Sequence, residues 1–327
     1  MGKVMARRKS MKIQPAITDL YMKWDPAADA DSRRYVDTMK ELSKVNRRLY
    51  EQGRMVAYQG LTFIWKGNTS KVDTIEVTVR TAGNTWMVHN AHVKGKALWN
   101  EMQDLVLDDN PSVKGKWHDY KVRLWEGQSS ARTLEVLDGS GAPVPGGEWD
   151  YSIYVMPQHD VDPATGLPLP ATEFTAMLIG QDTPTKKSLV LAYQDSRATV
   201  QAVDPNVPAA MSTSFFNLLT DSGSQEPELA DVIEDENDQP PYDTDNYVGG
   251  NVAGLRNPFP VQYGAISSAE VDGRVGPFIA ACGLIELDVK GYLNGAAVAA
   301  ADMPEVDILL HVAPGTYKGV AAIPMGQ

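Results

Sequence analysis

The chain has 327 residues, 43% of them hydrophobic, which is enough for one large globular domain or two small ones. Its one cysteine, Cys282, excludes an intrachain disulfide framework and a zinc site built from several cysteines, and it lies in an apolar run where we expect it to be buried. No apolar run reaches the roughly eighteen residues that a membrane-spanning helix needs, and the basic N-terminus lacks the apolar stretch of a secretory signal.

The net charge of −12 is unevenly distributed along the chain. Between Ala198 and Leu255 there are eleven acidic residues and no lysine or arginine, which nearly accounts for the imbalance. The first twelve residues show the opposite pattern, with five basic residues and no acid. Such asymmetry is typical of a chain whose basic end binds a polyanion.

Residues 1–31 are predicted to form an extended N-terminal arm, because they are polar and are interrupted by Pro15 and Pro26. The basic residues of this arm are expected to contact nucleic-acid phosphates without reading base sequence: Lys3, Arg7, Arg8, Lys9 and Lys12. A solubilising terminus is the alternative interpretation. So short an arm would not neutralise a genome, which argues against strong condensation of DNA.

A helical segment is predicted over residues 32–53, in which the helix runs from its N-cap Ser32 to about Gln52 and Gly53 follows its end. One face carries apolar residues at helical spacing, namely Val36, Met39, Leu42, Val45 and Leu49. The other face carries Arg33, Arg34, Lys40, Lys44, Arg47 and Arg48. This basic face is either a solvated surface or a second nucleic-acid contact that continues the arm.

The rest of the chain alternates apolar and polar residues with a period of two, which is typical of strands. About eight principal strands are predicted: 55–65, 74–80, 119–124, 149–155, 174–180, 188–193, 285–290 and 306–312. The first two are expected to pair through a turn at Gly67–Asn68. Helices are predicted near Ala91–Leu107, Phe215–Leu219 and Leu229–Ile233.

These elements predict a mainly β fold, a single eight-stranded jelly-roll β-sandwich over residues 54–327 with inserted helices and long loops. Strands and helices do not alternate regularly, so a doubly wound parallel sheet is disfavoured. A double jelly roll is the alternative, although the strands after Pro260 are too few for a complete second roll. The longest loop is the acidic one, at residues 204–256.

No constellation of residues points to an enzyme. The chain contains neither a phosphate-binding loop, nor a dinucleotide fingerprint, nor a nucleophile elbow. His89 and His92 form an H-x-x-H pair, but no further metal ligand accompanies them, so we expect surface or interface histidines. We therefore expect no catalytic residues and no certain cofactor.

The acidic loop is the best candidate for a metal site. Its carboxylates could bind calcium shared between neighbouring subunits: Glu234, Asp235, Glu236, Asp238, Asp243 and Asp245. Their spacing does not match an EF-hand loop, and a solvated acidic loop is the alternative interpretation.

Four distinctive stretches lie in order from about residue 40 to residue 250: KELSKVNRRLYEQGRMVAYQGLTF, GNTWMVHNAHVKGKALWNEMQDLVLDDNPSVKGKWHDYKVRL, GGEWDYSIYV and DVIEDENDQPPYDTDNY. They resemble the capsid proteins of uncultured marine circular single-stranded DNA (CRESS-like) viruses. FIAACGLIELDV, at residues 278–289, is similar too but less specific. The resemblance implies a shell protein, in a small icosahedral particle around circular DNA. Typical capsid proteins of circular DNA viruses carry a longer arginine-rich arm, so the mode of genome binding here is expected to differ.

The function expected is therefore that of a capsid protein, which self-assembles as a homo-oligomer and resides in the virion. The alternative is a carbohydrate-binding, lectin-like β-sandwich, in which exposed aromatic residues and nearby acids hold sugars and calcium. A β-sandwich hydrolase with paired carboxylates is a third hypothesis, but no pair stands out above the acidic loop.

Overall fold

The computed structural model of the chain describes residues 14–26, 31–65, 70–115, 119–156, 164, 166–167, 172–198, 241–242, 246–270 and 272–326. The fold is mainly β, as predicted, with 38% of residues in strands and 23% in helices. The α-helices of the described residues are α1 (Thr38–Asn46), α2 (Trp86–Asp109) and α3 (Leu189–Ala198). The strands are β1 (Asp19–Trp24), β2 (Arg33–Asp37), β3 (Arg54–Trp65), β4 (Thr74–Thr81), β5 (Ile153–Met156), β6 (Thr172–Met177), β7 (Lys186–Ser188), β8 (Phe259–Ser267), β9 (Asp272–Val275), β10 (Phe278–Ala281), β11 (Leu284–Leu293), β12 (Ala296–Ala297), β13 (Val306–Val312), β14 (Pro314–Tyr317) and β15 (Ala322–Pro324).

Two antiparallel sheets form a sandwich. The first has the order β1-β13-β3-β10, with β9 and β15 also paired to β3, and the second has the order β12-β11-β4-β8, with β2 paired to β11. The pairs are nested along the chain: β1 pairs with β13, β2 with β11, β3 with β9 and β10, and β4 with β8. The strands of the sandwich therefore pair as in one long antiparallel hairpin. Each half of this hairpin contributes strands to both sheets.

The sandwich core follows from the alternation of apolar residues. Ile75, Val77 and Val79 of β4 are fully buried, while the intervening residues of this strand are half-buried. From the first sheet, Leu20 and Trp24 of β1 meet them in one apolar cluster. Burial of each such side chain stabilises the fold by roughly 1.5–3 kcal/mol, so this cluster is the main source of stability.

A long insertion, residues 82–258, separates β4 from β8 in the chain, and its described residues build a layer in addition to the two sheets. It contains α2, α3 and a small sheet of β5, β6 and β7. Its apolar residues form a second cluster with Tyr35 of β2 and with Cys282 and Leu284 at the β10–β11 corner. Cys282 is fully buried and unpaired, as predicted.

One buried carboxylate, that of Asp37, joins the sandwich to the insertion. Asp37 ends β2 and caps α1, because its Oδ1 accepts from the backbone N–H of Lys40 at 3.2 Å. Its Oδ2 accepts from Gln52 Nε2 at 3.1 Å and from Trp149 Nε1 at 2.9 Å. Gln52 in turn accepts from the backbone N–H of Val122 at 2.6 Å. The carboxylate thus fixes a strand, a helix and the insertion in one network.

The bounds predicted for the N-terminal arm and for the helix that follows it are wrong. The arm is predicted to extend to residue 31, but residues 19–24 form β1, whose alternate side chains are buried in the sandwich. The helix predicted over 32–53 covers only residues 38–46, because residues 33–37 pair with β11 as β2. Its N-cap is Asp37 and not Ser32, and the chain leaves it at Arg47, which has φ 50°. The apolar spacing of the segment fits both a helix and a strand followed by a helix.

Other strand predictions also need correction. The strands at 55–65 and 74–80 exist, but they lie in different sheets and do not pair with each other. Residues 188–193 mostly belong to helix α3, and residues 119–124 form an extended segment with only an isolated bridge to β6 at Arg123. Among the described residues, the principal sandwich strands also include β1, β2, β8, β9 and β10, which the alternation did not predict. No helix in these residues is long and apolar enough to cross a membrane.

The position of β1 predicts that Trp24→Ala destabilises the fold by about 3–5 kcal/mol, because the indole is fully buried between the sheets. Lys23→Ala, in the same strand, removes only a surface ion pair with Glu305 and is expected to leave the unfolding midpoint nearly unchanged. Urea denaturation of both variants measures the difference. Equal midpoints for the two would place the segment outside the sandwich.

The Asp37 carboxyl predicts a pH dependence of stability. Burial raises its pKa from 3.8 to about 6, against the hydrogen bonds that favour the ionised form. Between these values the folded state holds a proton that the unfolded state has released, so the contribution of this group to stability falls as pH rises from 4 to 6. The loss is about 3 kcal/mol, at roughly 1.4 kcal/mol per pKa unit.

In Asp37→Ala this slope is expected to be absent, although the variant is less stable at every pH because the capping bond is removed and two donors are left unpaired. The measurement is the free energy of unfolding of both proteins at intervals from pH 4 to pH 7. Parallel curves for wild type and variant would contradict the assignment.

Candidate nucleic-acid interface

The five basic residues predicted to bind nucleic acid lie outside the described residues: Lys3, Arg7, Arg8, Lys9 and Lys12. The structure does describe the place where the arm joins the fold. There Ile17 donates its backbone N–H to Asn46 Oδ1 at 2.7 Å and accepts from Asn46 Nδ2 at 3.0 Å. Arg48 also donates to the carbonyl of Pro15 at 3.2 Å. The arm therefore leaves the fold beside the C-terminal end of α1.

The end of α1 presents two arginines to solvent. The backbone reverses at Arg47, whose left-handed conformation ends the helix, and Ser43 Oγ accepts from the N–H of Tyr50 at 3.0 Å. Because Tyr50 is buried, the residues between it and the helix bulge outward. Arg47 and Arg48 are exposed as a result.

A third cation, Lys318 of the β14–β15 turn, lies beside them. Its ammonium donates to the carbonyl of Leu49, and its own carbonyl accepts from Tyr50 OH at 2.8 Å. The ammonium also sits 5.1 Å from the ring centre of Tyr317. We call Arg47, Arg48 and Lys318 the arm-root surface. Among the described residues, none of the three forms an ion pair with a carboxylate.

The rest of the predicted basic face is bound to carboxylates or backbone carbonyls within the fold. Lys44 is buried and pairs with Glu41 at 3.0 Å. Lys40 pairs at 3.1 Å with Glu135, which lies on the insertion. Arg34 is buried and donates to the backbone carbonyls of Asp25 and Asp31. These side chains hold the fold together and are not free for phosphates.

Arg33 is committed in the same way. It binds Asp31 at 2.8 Å, and Arg132 of the insertion binds the same carboxylate at 2.7 Å. Partial burial raises the pKa of Asp31, but the bonds from Arg33 and the charge of Arg132 outweigh it and lower the pKa to about 2. Asp31 therefore stays ionised and holds both arginines.

The acidic loop is described only in part. The six candidate calcium ligands lie outside the described residues: Glu234, Asp235, Glu236, Asp238, Asp243 and Asp245. The returning end of the loop is held by Tyr247, which is buried with its ring 5.6 Å from Trp86 and 6.2 Å from Tyr193. Within the described ranges, no group of three or more histidine, cysteine or acidic residues is arranged to hold a metal.

The two histidines of the H-x-x-H pair occupy different environments. His89 is half-buried; one ring nitrogen accepts from the N–H of Gly326 at 3.0 Å and the other lies 2.8 Å from Asn84 Oδ1. His92 is buried beside Tyr120, and neither of its ring nitrogens has a hydrogen-bond partner among the described residues. Burial lowers the pKa of His92 to about 3, so it is neutral. The contacts of both histidines within the chain support structural roles rather than a shared metal site.

The sequence alone did not distinguish the residues of the arm-root surface from the other basic residues of the predicted helix. Arg47 and Arg48 belong to the predicted basic face, and within the helix only Glu41, which pairs with Lys44, distinguishes that lysine from them. Lys40 pairs with Glu135, which lies far along the chain. Lys318 was missed because it is an isolated cation in the sequence.

Comparison with known proteins adds no family to these observations. No family model, curated protein or solved structure matches the chain.

The arm-root surface predicts that Arg47→Glu/Arg48→Glu reduces the nucleic acid that co-purifies with the protein, because two cations that attract phosphates become anions that repel them. The slope of log K against log salt for a single-stranded oligonucleotide should become shallower by about 0.7 for each phosphate that is no longer neutralised. Deletion of residues 1–12 should lower the nucleic-acid content further and leave the melting temperature unchanged.

The matched control is Arg274→Glu/Lys290→Glu, which makes the same change of charge on exposed side chains of β9 and β11. Binding is followed by fluorescence anisotropy and the nucleic-acid content by the ratio of absorbance at 260 and 280 nm. An equal reduction in both double variants would show that only net charge matters, and the assignment to this surface would fail.

Proposed function

We propose that this chain is a viral capsid protein, which self-assembles into a small icosahedral shell around a circular single-stranded DNA genome and resides in the virion. The nested order of strand pairs carries the proposal, together with the position of the arm. The resemblance of the sequence segments to capsid proteins of CRESS-like viruses supports the same function. In this proposal the protein has no catalytic role.

The finer architecture that we propose is the eight-stranded jelly roll. Taking β9 and β10 as one interrupted strand, the eight strands β1, β2, β3, β4, β8, β9/β10, β11 and β13 pair first with last, second with seventh, third with sixth and fourth with fifth. This nesting is expected when a long hairpin is wound into two sheets, as in the jelly rolls of capsids and lectins. The small sheet of β5, β6 and β7 has too few strands for a second roll, so a double roll is disfavoured.

Because the jelly roll occurs in both capsid proteins and lectins, the fold alone does not choose between them. The arm-root surface favours the capsid, since it places three cations where the basic arm leaves the fold. A sugar site would need exposed aromatic rings. The described tryptophans are mostly buried, and the most exposed of them is Trp86, at 38%. Exposed rings do occur, such as those of Tyr242, Phe259 and Tyr263, so the choice of the capsid rests on the arm-root surface and not on a lack of exposed rings.

Calcium shared between subunits at the acidic loop remains a prediction of the sequence. The loop supplies the hard oxygen ligands that calcium prefers. Among the described residues, its returning end packs through Tyr247 against Trp86 of α2 and Tyr193 of α3. Particles that keep the same melting curve with and without a chelator would remove this part of the proposal.

The proposed function predicts that the chain expressed alone forms uniform closed particles. Size-exclusion chromatography followed by negative-stain microscopy detects them, and nuclease protection of co-purified DNA tests whether the particles enclose it. A monodisperse monomer at every salt, pH and calcium concentration tested would overturn the proposal. Closed particles that form equally well without nucleic acid would support the shell and remove only the dependence on the genome.

A further inference from the structure

Helix α2 extends beyond the layer that supports it. Its first turns are buried through Met87, Val88 and Ala91, but its second half presents apolar side chains to solvent. Leu98 is 52% exposed and Leu105 is 68% exposed. They are seven residues apart and therefore lie on the same face of the helix. An exposed apolar stripe of this kind marks an interaction surface.

A groove runs beside the same stretch of the helix. It lies between α2 and α3, has a volume of about 630 Å³, and is lined mainly by apolar side chains, among them Leu98, Phe174, Leu189 and Ala192. The groove and the projecting Leu105 are less than two helical turns apart along α2. This surface therefore carries both a projecting apolar residue and a cavity that such a residue could fill.

The charges on this face are also self-complementary. Lys94, Glu101 and Asp108 follow each other at seven-residue intervals, so they form a stripe next to the apolar one. Lys94 and Asp108 are exposed, and neither forms an ion pair with another described residue. The cation lies at the groove, where it donates to Ser196 Oγ at 3.0 Å, and the carboxylate lies at the far end of the helix.

We infer that this face of α2, residues 94–108, binds the same face of a second copy of the chain, with the two helices antiparallel about a two-fold axis near residue 101. In such an isologous contact, Lys94 meets Asp108 of the partner subunit, and Asp108 meets the partner's Lys94. Each of these pairs lies about 10 Å from the axis, at a rise of 1.5 Å per residue. Leu105 enters the groove beside Leu98 of the partner subunit, so both apolar surfaces are covered.

The inference rests on the proposed function, since a shell needs contacts between copies, and it assigns one of them. It also has a cost that the geometry dictates. Near the axis, Glu101 faces the partner's Glu101, and like charges so placed oppose association. This repulsion is expected to weaken the contact that the two charge pairs and the apolar stripe would otherwise make. Glu101→Gln removes the repulsion and is expected to strengthen the contact.

The first test is a charge exchange followed by sedimentation velocity at low salt. Lys94→Glu and Asp108→Lys should each weaken self-association about tenfold or more, because each places like charges at both ends of the contact. The double variant Lys94→Glu/Asp108→Lys carries both reversed charges on every chain and should recover association to within about threefold of wild type. A double variant as weak as the sum of the singles would overturn the inference.

The second test uses the apolar stripe. Leu105→Asp should abolish the contact and leave the melting temperature unchanged, because the residue packs little within its own chain. Ile323→Asp, an equally drastic change at a 55% exposed residue of β15, is the matched control and should not affect association. If Leu105→Asp lowers the melting temperature as Trp24→Ala does, the stripe is covered by its own chain and the inference fails.

The outcomes separate this contact from the proposed function. Closed shells that form equally well in wild type, Leu105→Asp and the single charge variants would overturn the α2 contact and leave the capsid function standing. A wild type that forms dimers dependent on these residues, but no shells under any condition, would support the contact and overturn the capsid. Loss of shells in the single charge variants, with recovery in the double variant, supports both.

Discussion

The buried carboxylate of Asp37 is the interaction on which the assembly of the layers depends. A charge without water is costly unless donors surround it, and here the donors come from three parts of the chain: the first turn of α1, Gln52 before β3, and Trp149 of the insertion. Each donor is itself positioned by a separate element. The carboxylate is therefore stable only when sandwich, helix and insertion are all in place, which makes their packing cooperative.

The same segment shows how the chain divides its basic residues between structure and surface. Lys40 pairs with an acid of the insertion, Lys44 with an acid of α1, and Arg33 with an acid of the segment before β2. Removal of these partners would leave buried or half-buried cations unpaired, at a cost well above that of a surface ion pair. Arg47 and Arg48 follow the point where α1 ends, and so they stay exposed. A helix only two residues longer would have continued past this reversal and changed the direction in which they project.

Much of the sandwich could be predicted from the sequence, because β3, β4, β11 and β13 carry a clear alternation. β1 and β2 could not, since their short alternations lie among charged residues and prolines, and the spacing in β2 also suits a helix. Only the partner strand decides between these conformations, and β11 lies about 250 residues further along the chain. Glu286 and Asp288 of β11 illustrate the same limit: they alternate as a solvated face would, yet both are buried and pair with Arg80.

The arm-root surface was predictable only as a tendency of the helix to be basic. Its extent depends on ion pairs with Glu135 and on the turn that brings Lys318 to Leu49, and neither interaction has a local signal. The α2 face was hidden for a similar reason. Its apolar residues predicted a helix near Ala91–Leu107, and only the packing of the insertion reveals that several side chains of its second half stay exposed within the described chain.

The pairing of β1 with β13 has a consequence for synthesis. Asp19 and His311 are hydrogen-bonded neighbours although 292 residues separate them in the chain. A topology with such high contact order folds slowly, because the ends must meet before the sandwich can close. During translation β1 has no partner until β13, at residues 306–312, has left the ribosome. The base of the basic arm is therefore fixed last, so a truncated chain would lack the ordered edge that holds Ile17 against α1. The fold thereby couples the synthesis of β13 to the display of the arm-root surface.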